Sequence, residues 1–203
     1  MSSHAPYIQP SNPYEYLLLI EPREDLADDI MAIKKEFSEK YQAPQAVSSK
    51  PHITLVSFTQ YMAFESRIRQ RFRQIATERA PMLIELEGFG FFPTHTLFIK
   101  VTTRTTVQNL VTKLRTQVQS LLKPDKEHKP HFIMEPHITI ARRLKPWQYE
   151  KSWSEYNTRS FSAKFMANHM VLLRKQADGE RFTFVERFEF MNMPVSATQA
   201  MLF

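Results

Sequence analysis

The sequence predicts a mixed fold of helices and strands that is built from two similar halves. The short stretches PHITL and PHITI occupy residues 51–55 and 136–140, and both have the branched, apolar composition of strands. In each half the predicted elements follow the same order: strand, helix, PHIT strand, helix, strand. Such an internal duplication allows the two halves to pack around a pseudo-two-fold axis.

Composition narrows the class of protein. The chain has 203 residues, 42% of them hydrophobic, so it can bury a substantial core. Its 27 Lys and Arg exceed its 21 Asp and Glu, and the net charge of +6 is compatible with an anionic ligand such as a phosphate or a nucleic acid. The lack of cysteine excludes disulfides, thiolate metal sites and a cysteine nucleophile. With neither a signal-peptide pattern nor a long apolar run, we expect a cytoplasmic protein without membrane contact.

Glycine is scarce, with only Gly88, Gly90 and Gly179 in the chain. Phosphate-binding loops and dinucleotide-binding motifs need several glycines at fixed spacing before a helix, and Pro93 follows the first pair instead. The stretch GFGFF is therefore interpreted as a bent or bulged strand.

In the first half, residues 1–13 are expected to form a loose N-terminal arm and residues 16–20 a buried strand. A helix should follow, with Asp25 as its N-cap. Segments 46–58 and 82–92 are strand-like. Two sets of apolar residues spaced three or four apart predict two helices: Leu26, Ile30, Ile33 and Phe37, then Phe64, Ile68, Phe72 and Ile75.

The second half repeats the pattern. Residues 96–101 predict a strand, 146–156 a short helix, and 161–175 with 181–190 two strands around a turn at Ala177 to Gly179. A polar stretch at 123–132 predicts a loop. A strong helical stripe lies between, made of Val107, Leu110, Val111, Leu114, Val118 and Leu121.

These elements indicate one domain over residues 14–190 that is built from two half-repeats at about 14–92 and 95–190. Residues 191–203 form a C-terminal tail without a clear element. His128 and His131 have a spacing that could hold a metal on a helix, but Pro130 lies between them and favours a solvated loop.

Strand alternation places the polar residues of both motifs on one face. His52 and Thr54 share a face, as do His137 and Thr139, while the intervening apolar residues point to the core. Imidazole titrates near neutral pH, so one histidine can act as general base and the other as general acid. Threonine hydroxyls can donate hydrogen bonds to a phosphate. The combination suits displacement at phosphorus without a metal.

These paired His-x-Thr frames resemble those of the 2H phosphoesterase superfamily, in particular the LigT-like group of 2′-5′ RNA ligases and cyclic phosphodiesterases. The resemblance extends over roughly residues 16–190. It implies an α+β, bilobal LigT-like fold in which two antiparallel sheets, related by a pseudo-two-fold, line a central cleft with helices outside. It also implies action on 2′,3′-cyclic phosphates or 2′-5′ phosphodiester bonds of RNA or nucleotides, with no cofactor and no metal.

Carried over residue by residue, the resemblance makes His52 and His137 the catalytic pair and Thr54 and Thr139 phosphate-binding residues. The family's second motif often continues to an arginine five positions after its histidine, which is Arg142 here.

Strand alternation instead places Arg143, not Arg142, on the face that carries His137. A bulge or strand end at Ala141 would bring Arg142 to that face. Arg142 is favoured as the phosphate contact, with Arg143 as the alternative. Phe58 shares the parity of His52 and could stack on a base, although core packing is the other role open to it.

Three questions stay open at the level of sequence. Hydrolysis and 2′-5′ ligation use the same residues in opposite directions, so the motifs do not choose between them. A different class of function is a non-catalytic module on the same fold that binds RNA or nucleotides. The stretch VSFTQ after the first motif departs from the ligase-like members, which leaves the substrate undetermined.

Overall fold

The computed structural model describes residues 13–93, 95–176, 179 and 181–193. The predicted N-terminal arm, the turn at Ala177 to Gly179 and the C-terminal tail therefore lie almost wholly outside the described residues. The strands are β1 Tyr14–Ile20, β2 Ile53–Gln60, β3 Met82–Phe92, β4 Thr96–Val101, β5 His131–Phe132, β6 His137–Ala141, β7 Ser162–Ala167, β8 His169–Gln176 and β9 Thr183–Glu189. The helices are α1 Glu24–Lys40, α2 Glu65–Thr77, α3 Arg104–Val118 and α4 Pro146–Tyr156.

The described strands form one antiparallel sheet in the order β7-β3-β4-β6-β2-β1-β8-β9, with the short β5 beside β2. The two PHIT strands, β2 and β6, lie at its centre and are joined by a single residue pair, Ile53 with Ile138. The two predicted sheets are thus two lobes that meet at this pair: lobe 1 holds β2, β1, β8 and β9, and lobe 2 holds β6, β4, β3 and β7. The predicted α+β bilobal fold is confirmed.

The two halves of the sequence exchange strands between the lobes. Strand β3 closes the first half but pairs with β4 of the second. Strand β8 belongs to the second half but pairs with β1 of the first. Each lobe is therefore built from both halves, and the sequence repeats do not correspond to separate lobes.

Helices α1, α2 and α3 contribute apolar stripes to the core, which lies on one face of the sheet, and α4 adds Tyr156. Helices α1 and α4 meet through Phe37 and Tyr156, whose ring centroids are 5.6 Å apart. Phe72 of α2 packs on Phe58 and on Phe188 of β9. The opposite face, which carries the polar residues of both motifs, is left as the cleft. None of the described helices is long and apolar enough to cross a membrane.

Several sequence-based details are wrong. Residues 44–47 form a 3-10 turn that begins at Pro44, and β2 starts only at Ile53, after Pro51 in the loop between them. Asp25 lies in the first turn of α1, where it accepts a hydrogen bond from Arg23, the residue at the N-cap. Phe64 precedes α2 and is exposed. The predicted loop at 123–132 ends in β5, which pairs with β2.

Candidate active site

The junction between the lobes brings the two motifs together. Ile53 and Ile138 are paired antiparallel, and His52, Thr54, His137 and Thr139 are the residues directly before and after this pair. If the register continued by one residue to either side, it would set His52 against Thr139 and Thr54 against His137. Side chains at such facing positions have Cβ atoms about 5 Å apart. All four polar side chains are half-buried. The two motifs therefore meet at one place, where the charge of His137 is close enough to lower the pKa of His52.

Both histidines are held in the same way by the backbone two residues earlier. Nδ1 of His52 lies 2.8 Å from the carbonyl oxygen of Lys50, and Nδ1 of His137 lies 2.7 Å from that of Glu135. A carbonyl only accepts, so Nδ1 carries the proton and donates it. Nε2 of each ring is then left to accept or deliver a proton in the cleft. This arrangement orients both rings and sets one tautomer.

The environment favours neutral rings in the free protein. Burial lowers the pKa of His52, and the positive charges of Lys34 and Arg142 lower it further. Burial also lowers the pKa of His137, while the charge of Glu135 acts in the opposite direction. A bound phosphate would supply the negative charge that stabilises a protonated imidazole. The two rings thus differ in their charged neighbours although their motifs match.

A β-bulge follows the threonine in both motifs. Strand β2 skips Leu55 in its pairing with β1, and β6 skips Ile140 in its pairing with β4. Each bulge shifts the alternation by one residue. The residue five positions after the first histidine, Ser57, then returns to the cleft face. Extended by one residue past the end of β6, the same shift would bring Arg142 to the cleft face.

The bulge explains how Arg142, rather than Arg143, would come to the strand face that carries His137. It lies at Ile140, one residue before the position considered from the sequence, and β6 ends at Ala141. Arg142 is exposed and close enough to lower the pKa of His52 through its charge. Arg143 lies beyond the strand with a φ of 56°.

The prediction that Phe58 lies on the same strand face as His52 is wrong because of the bulge in β2. After the bulge its ring turns into the core, where it is 5% exposed and stacks on Tyr16 with a centroid separation of 5.0 Å. Core packing, not base stacking, is the role that this position supports.

Two phenylalanine rings form an aromatic wall beside His137, which the sequence analysis did not predict. The ring centroids of Phe92 and Phe98 lie 4.9 Å and 5.1 Å from that of the imidazole. Gly90 faces Phe98 across β3 and β4, and a Cβ at Gly90 would lie 2.6 Å from the Phe98 ring. The second glycine of GFGFF, Gly90, could have indicated this contact, because a residue without a side chain leaves space for an aromatic ring on the neighbouring strand.

Gly90→Ala is expected to lower kcat by about tenfold with a small loss of stability. The added methyl group would push Phe98 off its position, and His137 would lose the wall that orients it. The double variant Gly90→Ala with Phe98→Leu should recover part of the loss, because leucine leaves room for the methyl group. Steady-state kinetics and thermal melts check both; full activity of the single variant would contradict the role given to the wall.

Lys34 is a second residue that the sequence reasoning missed. It occupies a core position of α1 between Ile30 and Phe37, with 1% of its surface exposed. Its Nζ donates a hydrogen bond of 2.6 Å to the carbonyl oxygen of Ser49. Ser49 precedes Lys50, whose carbonyl holds His52. The position of Lys34, four residues after Ile30 in an apolar helical stripe, could have indicated a buried lysine.

His128 and His131, the two histidines with a metal-like spacing, have separate partners. His128 donates to Asp125 at 2.7 Å within the loop, whereas His131 lies in β5 opposite Ser57. Among the described residues, no group of three or more His, Asp or Glu side chains comes together in a way that could hold a metal ion.

Comparison with known proteins identifies the family. A sequence model of the 2′-5′ RNA ligase superfamily matches residues 22–179. The chain belongs to this superfamily, the class of 2H phosphoesterases and ligases that its paired motifs resemble. A Geobacillus kaustophilus protein named "Putative phosphoesterase GK0864" is 27% identical over 179 residues, which cover 86% of this chain and 95% of that protein.

Solved structures share the fold. TT0787 of Thermus thermophilus superposes with a TM-score of 0.62 at 20% identity, covering 87% of this chain and 98% of its own. E. coli LigT complexed with NADP+ gives a TM-score of 0.59 at 16% identity, covering 89% and 99%. The same protein complexed with 3′-AMP gives 0.57 at 16% identity, with the same coverage.

Proposed function

We propose that this protein is a metal-independent phosphoesterase that acts on 2′,3′-cyclic phosphate or 2′-5′ phosphodiester bonds of RNA or nucleotides. The observation that carries the proposal is the pair of histidines on either side of the Ile53–Ile138 pair at the lobe junction, each held through Nδ1 so that Nε2 is the nitrogen turned to the cleft. The nucleotide complexes of LigT support a nucleotide substrate.

The geometry suits in-line displacement at phosphorus. Nε2 of one histidine removes a proton from the attacking water as its oxygen forms a bond to phosphorus. Nε2 of the other, protonated once the anionic substrate is bound, gives its proton to the ribose oxygen as that P–O bond breaks. Thr54 and Thr139 donate hydrogen bonds to non-bridging oxygens, and Arg142 offsets their charge.

Ligation, the reverse of 2′-5′ bond cleavage to a cyclic phosphate and a 5′ hydroxyl, uses the same groups. In ligation a 5′ hydroxyl replaces water in the attack on the 2′,3′-cyclic phosphate, the P–O bond to the 3′ oxygen breaks as that oxygen takes the proton, and a 2′-5′ linkage results. Turnover of a panel of 2′,3′-cyclic mononucleotides and cyclic-ended oligonucleotides, followed by phosphorus NMR, tests the proposal in the hydrolytic direction. Adding 5′-hydroxyl oligonucleotides tests ligation. Binding without turnover of any member would instead support a non-catalytic module.

Thr54→Val and Thr139→Val should each lower kcat/KM while the fold is kept. Each change removes one hydrogen bond to a charged oxygen, about 1–3 kcal/mol, or roughly a 5- to 150-fold loss. Thr116→Val, on the exposed side of α3, serves as a matched control and should leave activity unchanged. Unaltered kcat/KM in both motif variants would contradict phosphate binding by the threonines.

Activity should persist in millimolar EDTA. Each histidine uses Nδ1 for a backbone carbonyl, which leaves one nitrogen per ring, and tetrahedral or octahedral metal sites need more ligands than these two nitrogens supply. Rates measured before and after chelation and dialysis provide the check. Complete loss of turnover that a divalent ion restores would show that the reaction depends on a metal.

A further inference from the structure

The cleft face of lobe 1 continues away from the histidines as a row of facing residues. Ser57 of β2 faces Leu17 of β1. Leu17 faces Leu173 of β8, which in turn faces Phe184 of β9. Facing residues of antiparallel strands lie on the same side of a sheet. These four residues, named the Phe184 row, therefore form a surface continuous with the site.

The far end of the Phe184 row exposes aromatic rings. Phe184 is 65% exposed and Phe182, two residues earlier, is 39% exposed. A pocket of about 190 Å³ separates Phe182 from Ser57, and Lys129 and His131 also line it. Adjacent exposed rings on a sheet face are typical of a binding surface rather than of a free one.

Basic side chains surround these rings. The Lys175 ammonium lies 5.6 Å from the Phe182 ring centroid. Lys129 and Arg187 are exposed, and Arg187 faces Val171 on the cleft side of β8. Among the described residues, two carboxylates lie on this face: Glu15, at 3.0 Å from Lys175, and Glu189, which faces His169 next to Arg187. Aromatic rings among cations suit single-stranded nucleic acid, because bases stack on the rings and phosphates contact the cations.

The spacing of the sheet shows which substrates could use this surface. Strand β9 lies three strands from β2, about 14 Å at the usual strand separation. A mononucleotide whose phosphate is held between the histidines does not extend that far. A strand with further nucleotides does.

We propose that the Phe184 row and Phe182 bind the nucleotides of single-stranded RNA that flank the reacting phosphate. The preferred substrate is then an oligonucleotide rather than a free cyclic mononucleotide. This inference rests on the proposed function, because it takes the phosphate at the two histidines as its starting point.

The test compares Phe184→Ser with Phe184→Trp, which keeps a ring for stacking, and with Phe64→Ser, an exposed phenylalanine next to α2. Fluorescence anisotropy of a labelled oligouridylate with a 3′-hydroxyl end measures binding without turnover. We expect Phe184→Ser to weaken binding about tenfold or more. Phe184→Trp and Phe64→Ser should bind as the wild type does. The kcat/KM for 2′,3′-cyclic UMP should stay within about twofold in all variants, since this substrate does not reach the row.

The outcomes separate this inference from the proposed function. If the wild type hydrolyses cyclic UMP but Phe184→Ser binds the oligonucleotide as tightly as the wild type, the inference is overturned and the proposed function stands. The surface would then suit another partner, such as a peptide. If oligonucleotide binding depends on Phe184 but no phosphodiester is turned over, the proposed function fails and the RNA-binding surface is supported.

Discussion

His52→Ala and His137→Ala are each expected to lower kcat by about 10²–10⁴-fold while the protein stays folded. Each histidine handles one of the two protons that move in a single transition state, so loss of either breaks the same step. The double variant should be little slower than either single one, because residues that act as a unit give non-additive effects. Turnover of 2′,3′-cyclic nucleotides measures all three.

The matched control is His169→Ala on β8, a histidine whose pKa is also lowered by burial but which lies outside the motifs. It should keep near-full activity. The wild-type pH profile should be bell-shaped, and each motif variant should lose one limb of its residual activity. Near-full activity in only one of the two motif variants would contradict the acid–base pair and indicate a mechanism with a single histidine.

Lys34→Met is expected to lower kcat by about 10²-fold and to raise stability at pH 7. Without the bond from Lys34 to Ser49, the loop that positions His52 is loosened, and small displacements of a catalytic group are costly. Methionine fills the same core space without a buried charge, whose desolvation opposes folding. Kinetics and denaturant unfolding measure the two effects; an unchanged kcat would make Lys34 a purely structural residue.

The pH dependence gives Lys34 an independent test. Burial, assisted by the charge of Arg142, lowers its pKa in the folded protein from 10.5 to about 8. Between these values the unfolded chain binds more protons, so the wild type gains stability as pH rises, on the order of 3 kcal/mol. The stability advantage of Lys34→Met should therefore shrink from pH 8 to 10.5. In activity, the limb that His52 controls should move to higher pH, because the lysine charge that helps to lower its pKa is gone.

Sequence patterns predicted the parts of the fold that depend on periodicity. The helical stripes around Ile30 and Phe72, and the repeated PHIT strands, follow from spacing alone. The facing of His52 and Thr54 towards one cleft follows from strand alternation. The class of protein followed from finding two such motifs in one chain.

What the sequence did not predict depends on contacts between distant segments. The bulges at Leu55 and Ile140 leave no mark in composition, yet they decide the facing of Arg142 and Phe58. The role of Lys34 depends on a carbonyl fifteen residues away. Local sequence patterns also do not show which half a strand will pair with, as in the pairing of β3 with β4 and of β8 with β1.

The exchange of strands between the halves also governs how the chain can fold. Lobe 1 is not complete until β8 and β9 have been synthesised, although β1 and β2 emerge from the ribosome first. Its pairings span more than 150 residues, as Leu17 with Leu173 shows. Contacts so distant in sequence form slowly. The two motifs therefore reach their final positions only late, when both ends of the chain have closed on the centre.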